Sequence, residues 1–327
     1  MTHKKIAELA NVSLSTVSKA LSGSREINEE LRKKIIKIAT QGGYFAEKSK
    51  RKIDYASDNS ITVAVVCPEI ISIAYAAEIH ALKTELEVKG ATVAVYAYDF
   101  DAEKLDGIIE NITVGNRADG IILFQSYSGE IEPSIPTVVI GIPCKNCDTL
   151  FCDIDTYFSD IVGYLKSLGH KRIAFVGETF TAIKYTSFKN ALKAHGIPFD
   201  VRDAYIVNER FEAIGYVAAD EMIKNGNLPT AAVCAYDEIA LALIKRLTEV
   251  GIRVPEDISV VGINDIPMSA YSLIPLTSVH VFEKEQAEIA VKLLYDKIFR
   301  RSKVIQHITI RHELIKRNST DKAKKEN

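Results

Sequence analysis

Thr2-His3-Lys4-Lys5-Ile6-Ala7-Glu8-Leu9-Ala10-Asn11-Val12-Ser13-Leu14-Ser15-Thr16-Val17-Ser18-Lys19-Ala20-Leu21-Ser22 opens the chain with two short helical patterns and almost nothing between them. Thr2 suits the N-cap of a helix whose apolar residues are Ile6, Ala7, Leu9 and Ala10. Asn11 tolerates the left-handed backbone of a tight turn. Ser13 caps the second pattern, with Val17, Ala20 and Leu21 on one side. Two short helices joined so closely predict a helix-turn-helix. A third helix follows, capped by Asn28, in which Leu31, Ile35, Ile38 and Ala39 fall on one face to cover the first two.

In such a unit the second helix enters the major groove with its N-terminal residues at base edges. Its outer face here carries Leu14, Ser15, Ser18, Lys19 and Ser22. Lys19 suits guanine or phosphate and Leu14 a thymine methyl, while Thr2, Ser13, Thr16 and Asn28, near helix starts, suit phosphates. A three-helix module can also bind protein, but charge favours DNA. Residues 1–52 hold twelve Lys/Arg and five Asp/Glu, whereas the rest of the chain holds 29 and 38. A basic end on an acidic body is the pattern of a chain that meets phosphates at one end.

Residues 6–23, with their Val-Ser-x-x-Thr-Val-Ser core, resemble the head of the lactose/galactose repressor family. The resemblance implies a homodimer on a pseudo-palindromic operator in double-stranded DNA, with Leu14, Ser15 and Lys19 as specificity positions. The family most often has Arg where Lys19 stands, and Lys offers a point charge instead of a rigid fork. The polar stretch 45–60 reads as a linker. In the family it folds on DNA and wedges a Leu into the minor groove. Counted from Tyr44, also assigned to the DNA side, the wedge here is Ile53, and Lys48, Lys50, Arg51 and Lys52 lie near it. The usual Pro after the Tyr is replaced by Ala46.

From residue 61 onward, continuously apolar strand-like runs (61–66, 91–96, 120–124, 137–141, 172–177, 231–235, 258–263) alternate with helical patterns (75–89, 101–114, 157–168, 182–194, 212–225, 238–250, 284–299). Continuous apolar strands between helices predict parallel sheets covered on both faces. The expected fold class is therefore α/β: an N-terminal three-helix helix-turn-helix head (1–44) and a body (61–327) with parallel sheets. Leu168-Gly169-His170-Lys171-Arg172-Ile173-Ala174-Phe175-Val176-Gly177, Gly251-Ile252-Arg253-Val254-Pro255-Glu256-Asp257-Ile258-Ser259-Val260-Val261-Gly262 and Pro275-Leu276-Thr277-Ser278-Val279 resemble body signatures of the same family. That likeness implies a two-lobed, periplasmic-binding-protein-like body. One lobe takes about 61–157 and 283–308, the other about 158–282 and 309–320.

Ligands of such folds sit at the carboxyl ends of the strands. The resemblance carries effector-binding roles, in the cleft between the lobes, to Tyr75, Gly141, Lys184, Phe188, Tyr236, Asp237, Asn264 and Asp265. Several depart from the family: Lys184 stands for a gripping Arg, Tyr236 for an Asn, Asn264 for an Asp. Each also has a plainer reading, as core aromatic, solvated lysine, helix cap or turn former. A sugar, phosphosugar, sugar acid or nucleoside fits a pocket keeping Lys184. The alternative is a regulator controlled by a protein partner, its small-molecule pocket degenerate.

No nucleotide-binding, hydrolase or metalloprotease motif occurs, so no enzyme and no cofactor are expected. Cys144-Lys145-Asn146-Cys147, with Cys152 near, has metal or redox spacing, but no second pair completes a zinc site. Neither a secretory h-region nor a long apolar run is present, which predicts a cytoplasmic protein without a membrane partner. The polar residues 316–327 show no heptads, which favours a dimer over a larger assembly.

Overall fold

The computed structural model describes residues 1–22, 24, 26–42, 44, 61–125, 134–226 and 228–324. The linker 45–60, with Ile53 and its four basic neighbours, lies outside the described residues. In the head, α1 (His3–Ala10), α2 (Leu14–Leu21) and α3 (Glu29–Gln41) each begin at the polar residue expected from sequence. The Thr16 N–H donates to Ser13 Oγ at 3.0 Å and the Leu31 N–H to Asn28 Oδ1 at 2.8 Å. Asn11 sits at φ 58°, ψ 48°, and ends α1. Ile6, Ala7, Ala10, Val17, Ala20, Ile35 and Ala39 form the head's core.

The body follows as β1 (Thr62–Cys67), α4 (Ile73–Val88), β2 (Thr92–Ala97), α5 (Ala102–Val114), β3 (Gly120–Gln125), β4 (Thr137–Gly141), β5 (Asp148–Cys152), α6 (Ile154–Ser167), β6 (Ile173–Glu178), α7 (Ala182–Ala194), β7 (Ala204–Val207), α8 (Glu212–Lys224), β8 (Ala231–Cys234), α9 (Asp237–Glu249), β9 (Ser259–Asn264), α10 (Pro267–Tyr271), β10 (Thr277–Val281), α11 (Glu283–Phe299), β11 (His307–Ile310) and β12 (His312–Ile315). Two compact units result. One comprises Met1–Phe151 and Glu283–Thr309, the other Cys152–Phe282 and Ile310–Asn327. The first change of unit thus falls at 151/152, ahead of the expected 157, because α6 already belongs to the second unit.

The first unit's sheet has the order β11-β5-β4-β3-β1-β2, with β1 parallel to both β2 and β3. Val63–Cys67 are fully buried, as strands covered on both faces must be. The second unit's sheet has the order β12-β10-β9-β8-β6-β7; its pairs are parallel except for β12, which runs antiparallel to β10. Its core collects Phe158, Phe175, Phe188, Leu192, Ile239, Leu243 and Val261. Among the described residues no helix is long and apolar enough to cross a membrane.

Five strands were not expected from sequence: β5, β7, β10, β11 and β12. All are short, and β7, β11 and β12 lie at sheet edges. An edge strand is not enclosed on all sides, so His307–Ile310 and His312–Ile315 mix polar with apolar residues and carry too little apolar signal to read.

Candidate functional site: recognition helix and strand-end cluster

On α2 the inner residues Val17 and Ala20 anchor the helix, which leaves Leu14, Ser15, Ser18 and Lys19 exposed along one face. Leu14 keeps 54% of its surface exposed. An apolar side chain presented so openly at a helix start suits a base methyl better than a core. Lys19 pairs with the exposed carboxylate of Glu26, which holds Glu26 below its ordinary pKa. Such a surface pair is weak and exchanges readily for a phosphate or base. Thr2 and Ser13 serve as caps, as expected, and Ser22 is the C-cap of α2. Tyr44 is placed differently from the expectation of a DNA contact. It is buried in the head core, its hydroxyl 2.5 Å from His3 Nε2.

In the second unit, a cluster forms at the carboxyl ends of β6 and β8. Glu178, the last residue of β6, is buried. Its carboxylate accepts the Thr181 N–H, which caps a 3-10 turn, and the Tyr236 hydroxyl, and pairs with Arg210 Nε at 2.7 Å. Burial, and then the bond to Glu178, push the Tyr236 hydroxyl pKa up, so that it stays a donor. Lys184, in the first turn of α7, donates from Nζ to the Ala235 carbonyl at 2.8 Å and lies 5.9 Å from the Tyr236 ring centre. Arg210 stacks over Phe211 at 4.6 Å and Phe180 at 5.2 Å, and Phe211 stands 6.1 Å from Tyr236.

Lys184 and Tyr236 are therefore brought together as expected. Phe188 is not with them, and its expected ligand role is corrected: it is fully buried against Phe158, Phe175 and Phe199. Four residues after Lys184 on the same helix, it points into the core because that face of α7 covers the sheet.

Asp237 is likewise corrected. It is wholly buried, accepting the Ile266 N–H at 2.8 Å, the Ser269 hydroxyl at 2.7 Å and the Ser278 hydroxyl at 2.6 Å. These partners tie α9 to the turn after β9 and to β10, so the side chain is a brace and not a ligand contact. Asn264 (φ 101°) and Asp265 (φ 50°) form that turn in left-handed backbone. Asp265 pairs with Arg317 at 2.6 Å and His280 at 3.3 Å, which commits its charge.

In the first unit, Tyr75 lies half-buried, edge-on to Phe124 at 5.8 Å, its hydroxyl pKa raised by burial and by nearby Glu78. Gly141 ends β4 at φ 117°, a backbone that a side chain would strain, so this position contributes main chain only. Cys144 and Cys147 are buried thiols with sulfurs 3.4 Å apart. Burial pushes the Cys147 pKa up, the opposite of what a reactive or metal-binding thiolate needs. Among the described residues no group of three or more His, Cys, Asp or Glu is placed to hold a metal.

Sequence reasoning missed Glu178, Arg210 and Phe211. Their signal was positional: Glu178 closes an apolar strand run, and Arg210-Phe211 stand directly before a helix, both at strand ends where ligands bind.

A helix-turn-helix on a basic head, joined to a body of two mostly parallel sheets, defines a DNA-binding regulator with a periplasmic-binding-protein-like body. Residues 2–47 match the bacterial regulatory proteins of the lacI family, and residues 162–320 match a periplasmic binding protein-like domain. The chain thus combines a lacI-family helix-turn-helix head with a periplasmic binding protein-like domain. It is 28% identical to the repressor PurR of Haemophilus influenzae (strain ATCC 51907 / DSM 11121 / KW20 / Rd) over 97% of this chain and 98% of that one. It is 27% identical to catabolite control protein A of Priestia megaterium over 96% and 98%. The lac repressor dimer bound to operator and the anti-inducer ONPF shares the fold, with a TM-score of 0.72 and 22% identity over 98% of this chain and 99% of that one. These relatives are regulators of transcription and not enzymes.

Proposed function

We propose that this chain is a cytoplasmic, effector-responsive repressor that binds a pseudo-palindromic operator as a homodimer. The observation that carries the reading is the exposed row Leu14, Ser15, Ser18 and Lys19 on a capped, well-anchored α2 within a basic head. The operator-bound dimer named for the lac repressor structure supports the dimer, and the relatives named as repressors support the sign. The effector is a sugar or sugar derivative held at the strand-end cluster around Tyr236 and Lys184. A cellobiose complex of the regulator CelR, with a TM-score of 0.69, supports a ligand on this fold. Effector and operator affinities are then coupled reciprocally.

The test is selection of bound duplexes from a random library by the full-length protein. The retained sites are expected to be two-fold related half-sites about one helical turn apart. Affinity is expected to fall steeply with salt. Lys19→Ala should weaken binding about 10-fold. If Lys19 reads a base, discrimination at one base pair relaxes; if it meets phosphate, the loss is uniform and the salt slope drops by about one. Recovery of no preferred sequence would sink the reading.

A further inference from the structure

Lys19 is the only charged residue of α2, which is otherwise apolar or hydroxylic from Leu14 to Leu21. The recognition face thus carries one cation, and that cation is engaged. Its Nζ donates to the carboxylate of Glu26, which stands between α2 and α3. The head is basic, with twelve Lys/Arg against five Asp/Glu over residues 1–52. With its pair made, α2 itself presents no net charge.

The pairing is prepared by the backbone. Ser24 donates its N–H to the Lys19 carbonyl at 3.0 Å. The Ser24 hydroxyl accepts the Glu26 N–H at 3.3 Å, and its carbonyl accepts from the Arg32 guanidinium on α3. Ser24 so ties the end of α2 to Glu26, and both to α3. Closing the pair then orders two side chains and no further backbone. The other described carboxylates of the head serve elsewhere. Glu8 pairs with Lys5 on α1, and Glu29 and Glu30 occupy the first turn of α3, where they favour the positive end of that helix.

Both partners stay open to solvent, Lys19 at 47% and Glu26 at 68% of the side chain. The Glu26 carboxylate therefore holds the place on Nζ that a phosphate oxygen or a guanine acceptor would take. Binding exchanges one acceptor for another and leaves the displaced carboxylate beside a polyanion. What Lys19 contributes is the DNA contact less the pair that is broken.

We propose that Glu26 is a built-in competitor for Lys19, an internal anion that the operator must displace and that sets the strength of operator binding. The inference rests on the reading that α2 faces DNA, and adds to it a residue that acts through Lys19. The same exchange is required on any duplex that Lys19 touches, so Glu26 lowers affinity without sharpening base choice.

The experiment uses full-length protein, the preferred duplex from the library selection and a scrambled duplex of the same composition, across a salt series. Glu26→Gln keeps the shape of the side chain and removes its charge. It is expected to tighten binding to the preferred duplex about 3- to 5-fold at low salt, the scale of an exposed ion pair, and to the scrambled duplex by no more. Salt screens the pair, so the gain shrinks as salt rises and the salt slope steepens by up to about one. Glu30→Gln removes one negative charge from the same head without touching the Lys19 pair, and calibrates that general effect. In the Lys19→Ala background, Glu26→Gln is expected to do no more than Glu30→Gln does. The proposal is overturned if Glu26→Gln weakens binding, leaves it unchanged, or tightens it no more than Glu30→Gln. It is overturned equally if the full gain persists in Lys19→Ala, since Glu26 would then repel phosphate directly. In each of these cases a loss of affinity in Lys19→Ala leaves the reading of α2 intact. Binding unchanged in Lys19→Ala would instead defeat that reading of Lys19, and the proposal with it.

Discussion

Gly215→Ala is expected to destabilise the second unit by about 2–3 kcal/mol, even though alanine is the better helix former. Gly215 lies inside α8, where that unit packs α8 against α9. A Cβ added there would stand 2.4 Å from the Ile239 carbonyl oxygen, 2.5 Å from the Leu243 nitrogen and 2.8 Å from the Ala242 Cβ. The first two are backbone atoms and cannot rotate away, so the helices must separate and their shared apolar surface loosens. Helix propensity alone would favour alanine by about 1 kcal/mol, and the clash outweighs it. Gly107, inside α5, is the internal control: it is exposed and its added Cβ meets nothing within 4 Å. Gly107→Ala should therefore stabilise by about 0.5–1 kcal/mol. Urea unfolding midpoints at unchanged slope would read both. If the two substitutions shift the midpoint in the same direction, the close approach of α8 to α9 is not what Gly215 provides.

Neither glycine could be told from the other in the sequence, since both stand in regular helical patterns. The same limit applies to the sites. The head was legible down to its caps, because Thr2, Ser13 and Asn28 act locally, within three residues of the N–H they receive. Six of the seven expected strands were legible because both their faces are covered, whereas β2, a half-buried edge strand, was legible only from its unbroken apolar run. The strand-end cluster was legible only in part. Lys184 and Tyr236 were found by position, but Glu178 and Arg210 lie 32 residues apart in sequence and meet only once β6 and the loop before α8 are in place. Phe188 and Asp237 show the converse error. Their spacing matched a ligand role, and packing gave them another, one in the aromatic core and one as a buried brace.

That brace leads to a pH-dependent result. Burial, outweighing three hydrogen bonds that favour its charged form, raises the Asp237 pKa to about 7; neighbouring Glu238 pushes it in the same direction. In the unfolded chain an aspartate titrates near the usual value of about 3.9. Between about pH 4 and pH 7 the folded state therefore holds a proton that the unfolded state gives up, so the contribution of Asp237 to stability falls as pH rises through that window. The full span amounts to about 4 kcal/mol at 1.4 kcal/mol per unit. Other groups act beside it. His170, its pKa lowered by burial, opposes the trend below about pH 6.5. Asp257, held far below the ordinary carboxylate value by Arg253, and Asp200, held to about 2 by Arg202, lose their contributions only in stronger acid. Asp237→Asn keeps the shape and removes the titration. The stability of the wild type minus that of Asp237→Asn is thus expected to fall between pH 4.5 and 8 and then to level off. Asp237→Ala should cost about 3 kcal/mol even at pH 5, because the Ile266 N–H and the Ser269 and Ser278 hydroxyls lose a buried acceptor. Parallel pH curves for wild type and Asp237→Asn would mean that the carboxyl is already ionised in the folded protein at pH 4.5. The three donors would then hold the charge against burial, and the proton would have no part in the stability of the second unit.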